Sequence, residues 1–113
     1  MTIEKAERIA ELNDLCRTAM GVAGELVQTE GICALTPELQ SAIRERVETF
    51  KDFAEDNDPY SERDFGAFNI DGVAEKIFWK IDYYAPGLQG GSADPADPRL
   101  TVRVLTIMLA PEY

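Results

Sequence analysis

Between Gly66 and Tyr84 the chain alternates apolar and polar positions with a period of two. Ile77, Trp79, Ile81 and Tyr83 alternate with Phe78, Lys80, Asp82 and Tyr84, the pattern of a strand buried on one face. In the run before it, Gly66, Phe68 and Ile70 alternate with Ala67 and Asn69. Asp71-Gly72 lies between the two runs, and a pair that tolerates positive φ marks a hairpin turn. A two-residue turn pairs Ile70 with Val73 and sets Phe68 opposite Glu75. A four-residue loop pairs Ile70 with Glu75 and sets Phe68 opposite Ile77, and this longer loop is preferred. Either closure keeps Phe68, Ile70, Ile77 and Trp79 on one face, because a slip of two residues preserves side-chain parity. That face is the expected core.

Elsewhere the spacing is helical. From Thr2 to about Met20, Ala6, Ile9, Leu12, Cys16 and Ala19 recur every three or four positions, while Glu4, Glu7, Arg8, Glu11 and Arg17 fall on the other side. Gly21 and Gly24 are expected to end this first helix, and a short strand centred on Leu26 to Thr29 follows, broken at Gly31. A second helix begins at Thr36 as N-cap, with Pro37 in its first position and Glu38 in its first turn. Its apolar stripe, Leu39, Ile43, Val47, Phe50 and Phe53, predicts an end near Ala54. Residues 85 to 98, with three prolines and three glycines, form a flexible connector or binding loop. Asp97-Pro98 repeats the cap-plus-proline signal and predicts a last helix from about Arg99 to Ala110, striped by Leu100, Val104, Ile107 and Met108. The rival reading of that segment is a strand, since Thr101, Val102, Val104, Thr106 and Ile107 are β-branched. The expected fold is therefore one α+β domain over residues 1–113, in the order α-β-α-β-β-α. Its small, mainly antiparallel sheet is centred on the hairpin and packed by helices on the Trp79 face. Whether helices also cover the face of Phe78, Lys80, Asp82 and Tyr84 decides if that face is open or core.

Charge narrows the function classes. The 113 residues carry a formal net charge of -10, which disfavours an electrostatic grip on nucleic acid or an anionic membrane and favours a basic partner. No apolar run reaches the ~20 residues of a spanning helix, and the acidic, amphipathic MTIEKAERIAEL is unlike a signal peptide, so the cytoplasm is the expected location. Cys16 and Cys33 lack the number and spacing of a disulfide framework or a metal site and are expected to be small buried residues. The chain has no histidine, which excludes Ser-His-Asp and Cys-His mechanisms.

Four stretches carry a resemblance: EDNDPYSERDFGAF from Glu55, IFWKIDYY from Ile77, ADPADP from Ala93 and RVLTIMLAPEY from Arg103. In these the chain resembles a small bacterial family, domain of unknown function 3768, whose relatives have a tighter turn after the Asp-Gly, so that Val73-Ala74 reads as an addition. The resemblance implies a single folding unit and brings no activity, substrate or catalytic residue.

Residues 48 to 64 concentrate the charge: seven acids against Lys51 and Arg63 leave -5. Asp56 and Asp58 resemble the opening of a calcium loop, but Ser61 and Ala67 stand where an EF-hand needs Gly and Glu. Gly90-Gly91 lacks a phosphate-loop pattern. No pair of carboxylates has a spacing that fixes acid–base roles, so no catalytic residue, metal site or cofactor is assigned. Exposed aromatics beside acids suit a protein interface. The expected function is a non-enzymatic acidic protein docking on a basic protein surface through Asp52, Glu55, Asp56, Asp58, Tyr60, Glu62, Asp64 and Tyr84. A narrower version imitates nucleic acid and inhibits a nucleic-acid-binding or defence complex. The alternative is a small carboxylate- or divalent-metal-dependent enzyme.

Overall fold

The computed structural model describes residues 2–19 and 23–113. Helix α1 (Ile3–Thr18) opens where Thr2 Oγ1 accepts the Lys5 amide at 3.1 Å. Gly21, one of its expected terminators, lies outside the described residues. Strand β1 (Glu25–Gln28) falls where a short strand is expected, and a one-turn helix, α2 (Glu30–Cys33), takes up the Gly31 break and buries Ile32. Helix α3 (Pro37–Glu48) starts as its signals demand, with Thr36 Oγ1 accepting the Leu39 amide at 3.2 Å.

α3 stops at Glu48, not near Ala54, and a side chain stops it. The Arg17 guanidinium donates to the carbonyls of Val47, Glu48 and Phe50 at 2.9, 3.1 and 2.9 Å, acceptors that a continuing helix would need for its own amides. Arg17 was expected on the outer side of α1; it is 4% exposed.

Strands β2 (Phe65–Phe68) and β3 (Ile77–Tyr84) form the hairpin, and Phe68 pairs with Ile77, as the longer loop requires. The expected last helix is corrected to a strand, β4 (Val102–Leu109), with single 3-10 turns at Pro98–Leu100 and Ala110–Glu112. Asp97 does cap the backbone, accepting the Arg99 amide at 2.9 Å, but only one turn follows. All eight residues of β3 pair with β4, which outweighs a local helical stripe that the β-branched residues already weaken. The sheet is mixed, not mainly antiparallel: β1 runs parallel to β4, and the order is β1-β4-β3-β2.

Cys16 of α1, Ile32 of α2, and Ile43 and Val47 of α3 pack with Phe50, Phe68, Ile77, Trp79, Ile81, Leu105 and Ile107 on one side of the sheet. Gly66 lies across from Trp79 because nothing larger fits: a Cβ there would stand 2.7 Å from the indole Cε2 and 2.8 Å from the Phe50 ring. On the other side, the last residue of the chain, Tyr113, packs on Phe65 and Phe78, and Met108 is 2% exposed. The rows of that side are Val27 and Glu25, then Val102, Val104, Thr106 and Met108, then Phe78, Lys80, Asp82 and Tyr84, then Phe65 and Ala67. The 85–98 connector is laced to the body: Ala85 bonds Gly90, Ser92 bonds Tyr83, and the Thr101 hydroxyl donates toward the carbonyls of Asp94 and Asp97. No described helix is long and apolar enough to cross a membrane.

Candidate functional site

The acidic segment that links α3 to β2 has no regular structure, yet its own side chains fix it. The Ala54 amide donates to Asn57 Oδ1 at 2.7 Å, and Asn57 Nδ2 returns a bond to the Asp52 carbonyl at 2.8 Å. Asp58 Oδ1 accepts the amides of Glu62 and Arg63, both at 3.0 Å. Those bonds hold Ser61 and Arg63 at φ 57° and 54°, a left-handed conformation that costs non-glycine residues energy and persists only when the surroundings impose it. Arg63 is pinned in turn to α1 by two bonds to the Asp14 carboxylate, at 3.1 and 2.7 Å.

Beneath the segment lies a buried polar chain. The Tyr83 hydroxyl donates to Glu62 Oε1 at 2.8 Å; Asn13 Nδ2 donates to that hydroxyl at 2.8 Å and to the Glu62 carbonyl at 3.0 Å. Arg103 Nε donates to Asn13 Oδ1 at 2.7 Å, its other end reaches the Pro95 carbonyl, and its guanidinium lies 5.2 Å from the Tyr83 ring centre. Burial drives the Tyr83 phenol well above the usual tyrosine range, with the bond to Glu62 adding to the rise and that from Asn13 opposing it. The phenol therefore stays protonated and serves as a donor. Burial likewise pushes the Cys16 thiol up, with Arg103 opposing, which leaves an unreactive thiol. These groups satisfy one another and tie α1, β3, β4, the acidic segment and the 85–98 connector together.

The eight expected site residues divide accordingly. Asp52, Glu55, Asp56 and Tyr60 are exposed. Asp58 and Glu62 are each 8% exposed, and Asp58 Oδ1 and Glu62 Oε1 accept hydrogen bonds from inside the protein. Tyr84 is half-buried and lies on the side of the sheet opposite Trp79. Cys33, expected to be buried, is exposed. Tyr60 instead lines an open groove of about 440 Å³ with Ile3, Ala6, Glu7 and Pro59. Among the described residues no three carboxylates or thiols are grouped to hold a metal ion.

Asp64 is half-buried, and its carboxyl is raised above the usual range, first by burial and then by the negative charge of Glu62, with Asp58 and Asp82 adding and its own backbone amide opposing. A carboxyl raised on folding binds its proton more tightly in the native state, so its contribution is complete below the unfolded value of 3.8 and is lost as pH climbs through the folded value. Asp64→Asn should therefore match wild type at pH ~4 and exceed it at pH ~7, by under about 1 kcal/mol after solvent screening. Urea melts at the two pH values check this, and a variant less stable at the higher pH would contradict it.

Sequence reasoning missed Asn13, Asp14, Arg17, Arg63 and Arg103 as the polar framework. The signal was present in α1: Ile9, Ala10, Asn13, Cys16 and Arg17 form one buried face at helical spacing, with polar residues inside it. No curated protein and no solved structure matches this chain. Residues 28–112, which run from the end of β1 through all of β4, match the family described as Protein of unknown function (DUF3768), and the chain belongs to that family.

Proposed function

We propose that the protein is a non-enzymatic interaction protein of the cytoplasm that docks a basic protein surface on its acidic segment. The observation that carries this reading is the division of labour within the segment. Buried Asp58, with Asn57, fixes the backbone, while Glu48, Asp52, Glu55 and Asp56 remain exposed around a single Lys51. A display that is ordered before contact loses little conformational entropy on binding, and its charge speeds encounter with a cationic partner. In the narrower version the partner is a nucleic-acid-binding protein whose phosphate-binding groove these carboxylates occupy.

The test neutralises only the exposed acids, as Asp52→Asn, Glu55→Gln and Asp56→Asn together. Since exposed carboxylates contribute little to folding, this variant is expected to melt like wild type yet lose the proteins that wild type captures from native lysate. Wild-type capture should weaken as salt rises past the ionic strength at which the Debye length is about 8 Å. Heparin should elute the captured protein if its own ligand is a nucleic acid. Undiminished capture by the neutralised variant would overturn the proposal.

A further inference from the structure

We infer that the basic partner presents an apolar side chain, set between lysines or arginines, to the groove between α1 and the acidic segment; this rests on the docking reading above and names the part of the partner that makes the contact. One wall of the groove is Ile3, Ala6 and Glu7 of α1, which share a helix face, and the other is Pro59 and Tyr60 of the segment. Ile3 is 78% exposed and Tyr60 75%, so each wall holds a large apolar side chain in water. The walls are tied together before any contact. Arg63 Nη2 donates to Asp14 Oδ2 at 2.7 Å, and Asn13 Nδ2 donates to the Glu62 carbonyl at 3.0 Å, so α1 and the segment are joined close beside the groove. A cleft already formed in the free protein takes a side chain without a reordering cost.

Charge decides which chemistry fills it. Glu7 is the one charged residue in the lining, and among the described residues no ion pair claims it, its helix neighbour Glu4, or Glu55 and Asp56 of the adjoining turn. The neighbouring cations are already taken: Lys5 by Asp94 at 3.2 Å, Arg8 by Glu11 at 3.7 Å and Arg63 by Asp14. The approach to the groove is therefore negative. It repels a second copy of this chain, whose net charge is -10, and it repels nucleic acid and an anionic membrane. A cation-flanked apolar side chain is drawn in, covers Ile3 and Tyr60, and sets its basic neighbours against Glu7 and the acids of the turn.

Three synthetic peptides of equal length, titrated into the full chain with amide chemical shifts as the readout, test this. One is lysine and serine with a central leucine, one replaces that leucine with serine, and one keeps the leucine and has no lysine. The first is expected to bind about tenfold tighter than the second, which burial of part of a leucine side chain supplies, and to shift the amides of Ile3, Ala6, Glu7 and Tyr60. The third should bind most weakly. Ile3→Ser combined with Tyr60→Ser, both exposed positions, should melt like wild type and bring the two lysine peptides to equal affinity. Asp52→Asn, Glu55→Gln and Asp56→Asn together should weaken both lysine peptides by the same factor and keep their ratio. Equal affinity of the two lysine peptides for wild type, with both lost in the neutralised variant, would leave the acidic docking surface standing and overturn the groove. A leucine preference that survives Ile3→Ser with Tyr60→Ser would overturn the groove as well, as would equally tight binding of the peptide without lysine. Binding of none of the three would overturn the groove and the docking reading together.

Discussion

Trp79→Ala should cost about 3–5 kcal/mol, the range for removing a large aromatic from a packed interior. The indole is 0% exposed, and three elements meet on it. Phe50 and Phe53 pack edge-on at 5.5 and 6.1 Å, and the Arg17 guanidinium lies 5.3 Å from the ring centre. Gly66 admits the indole edge from the neighbouring strand, so the hole left by alanine has no nearby side chain on β2 to fill it. Collapse is also opposed by Phe50, which is held in place through the bond from Arg17 to its carbonyl. Urea denaturation would show a lower midpoint at nearly constant slope. A near-wild-type midpoint would mean that the chain between α3 and β2 closes over the gap and that Trp79 does not organise the core.

The hairpin register and the start of α3 were legible because each is decided by neighbours in sequence: Phe68 against Ile77 across a turn, and Thr36-Pro37 ahead of an apolar stripe. The state of residues 102–109 was not, because Val104, Leu105, Ile107 and Met108 satisfy both a helical stripe and an alternating strand. Their pairing partners are β3 and, far earlier in the chain, β1. Parallel pairing with β1 made the sheet mixed, and nothing local to Leu26 announces it. The acidic segment was legible as charge but not as geometry. Asp58 and Glu62 turn inward because Ser61 and Arg63 adopt left-handed backbone, and neither is the glycine that would have signalled such a turn. Arg17 misled for the opposite reason: a charge at the rim of an apolar stripe reads as solvated, whereas here its stem and head are enclosed.

Arg17→Met should cost about 2–4 kcal/mol, from losing hydrogen bonds donated by a charged group to buried acceptors. Methionine has a comparable apolar stem and can keep contact with the Trp79 and Phe53 rings, so the loss isolates the guanidinium's hydrogen bonds. Those bonds satisfy the last carbonyls of α3 at Val47 and Glu48 and the carbonyl of Phe50, and a further one joins Asp14 at 3.0 Å. Without them the Glu48 and Phe50 carbonyls lose their donor, the Val47 carbonyl keeps only the Phe50 amide at 3.4 Å, and Asp14 keeps only Arg63. Arg17→Lys should recover little, since an ammonium on a flexible stem does not reproduce the planar fork that reaches three carbonyls and a carboxylate together. The loss should be local as well as global. The chain leaving α3 takes its direction from this anchor, so amide hydrogen exchange across residues 51–64 should quicken in the methionine variant more than exchange in β3 and β4. If Arg17→Met unfolds at the wild-type urea concentration, water satisfies those carbonyls and another contact ends α3. If stability falls while exchange in the acidic segment stays unchanged, the segment is held by Asn57, Asp58 and the Arg63–Asp14 pair without Arg17.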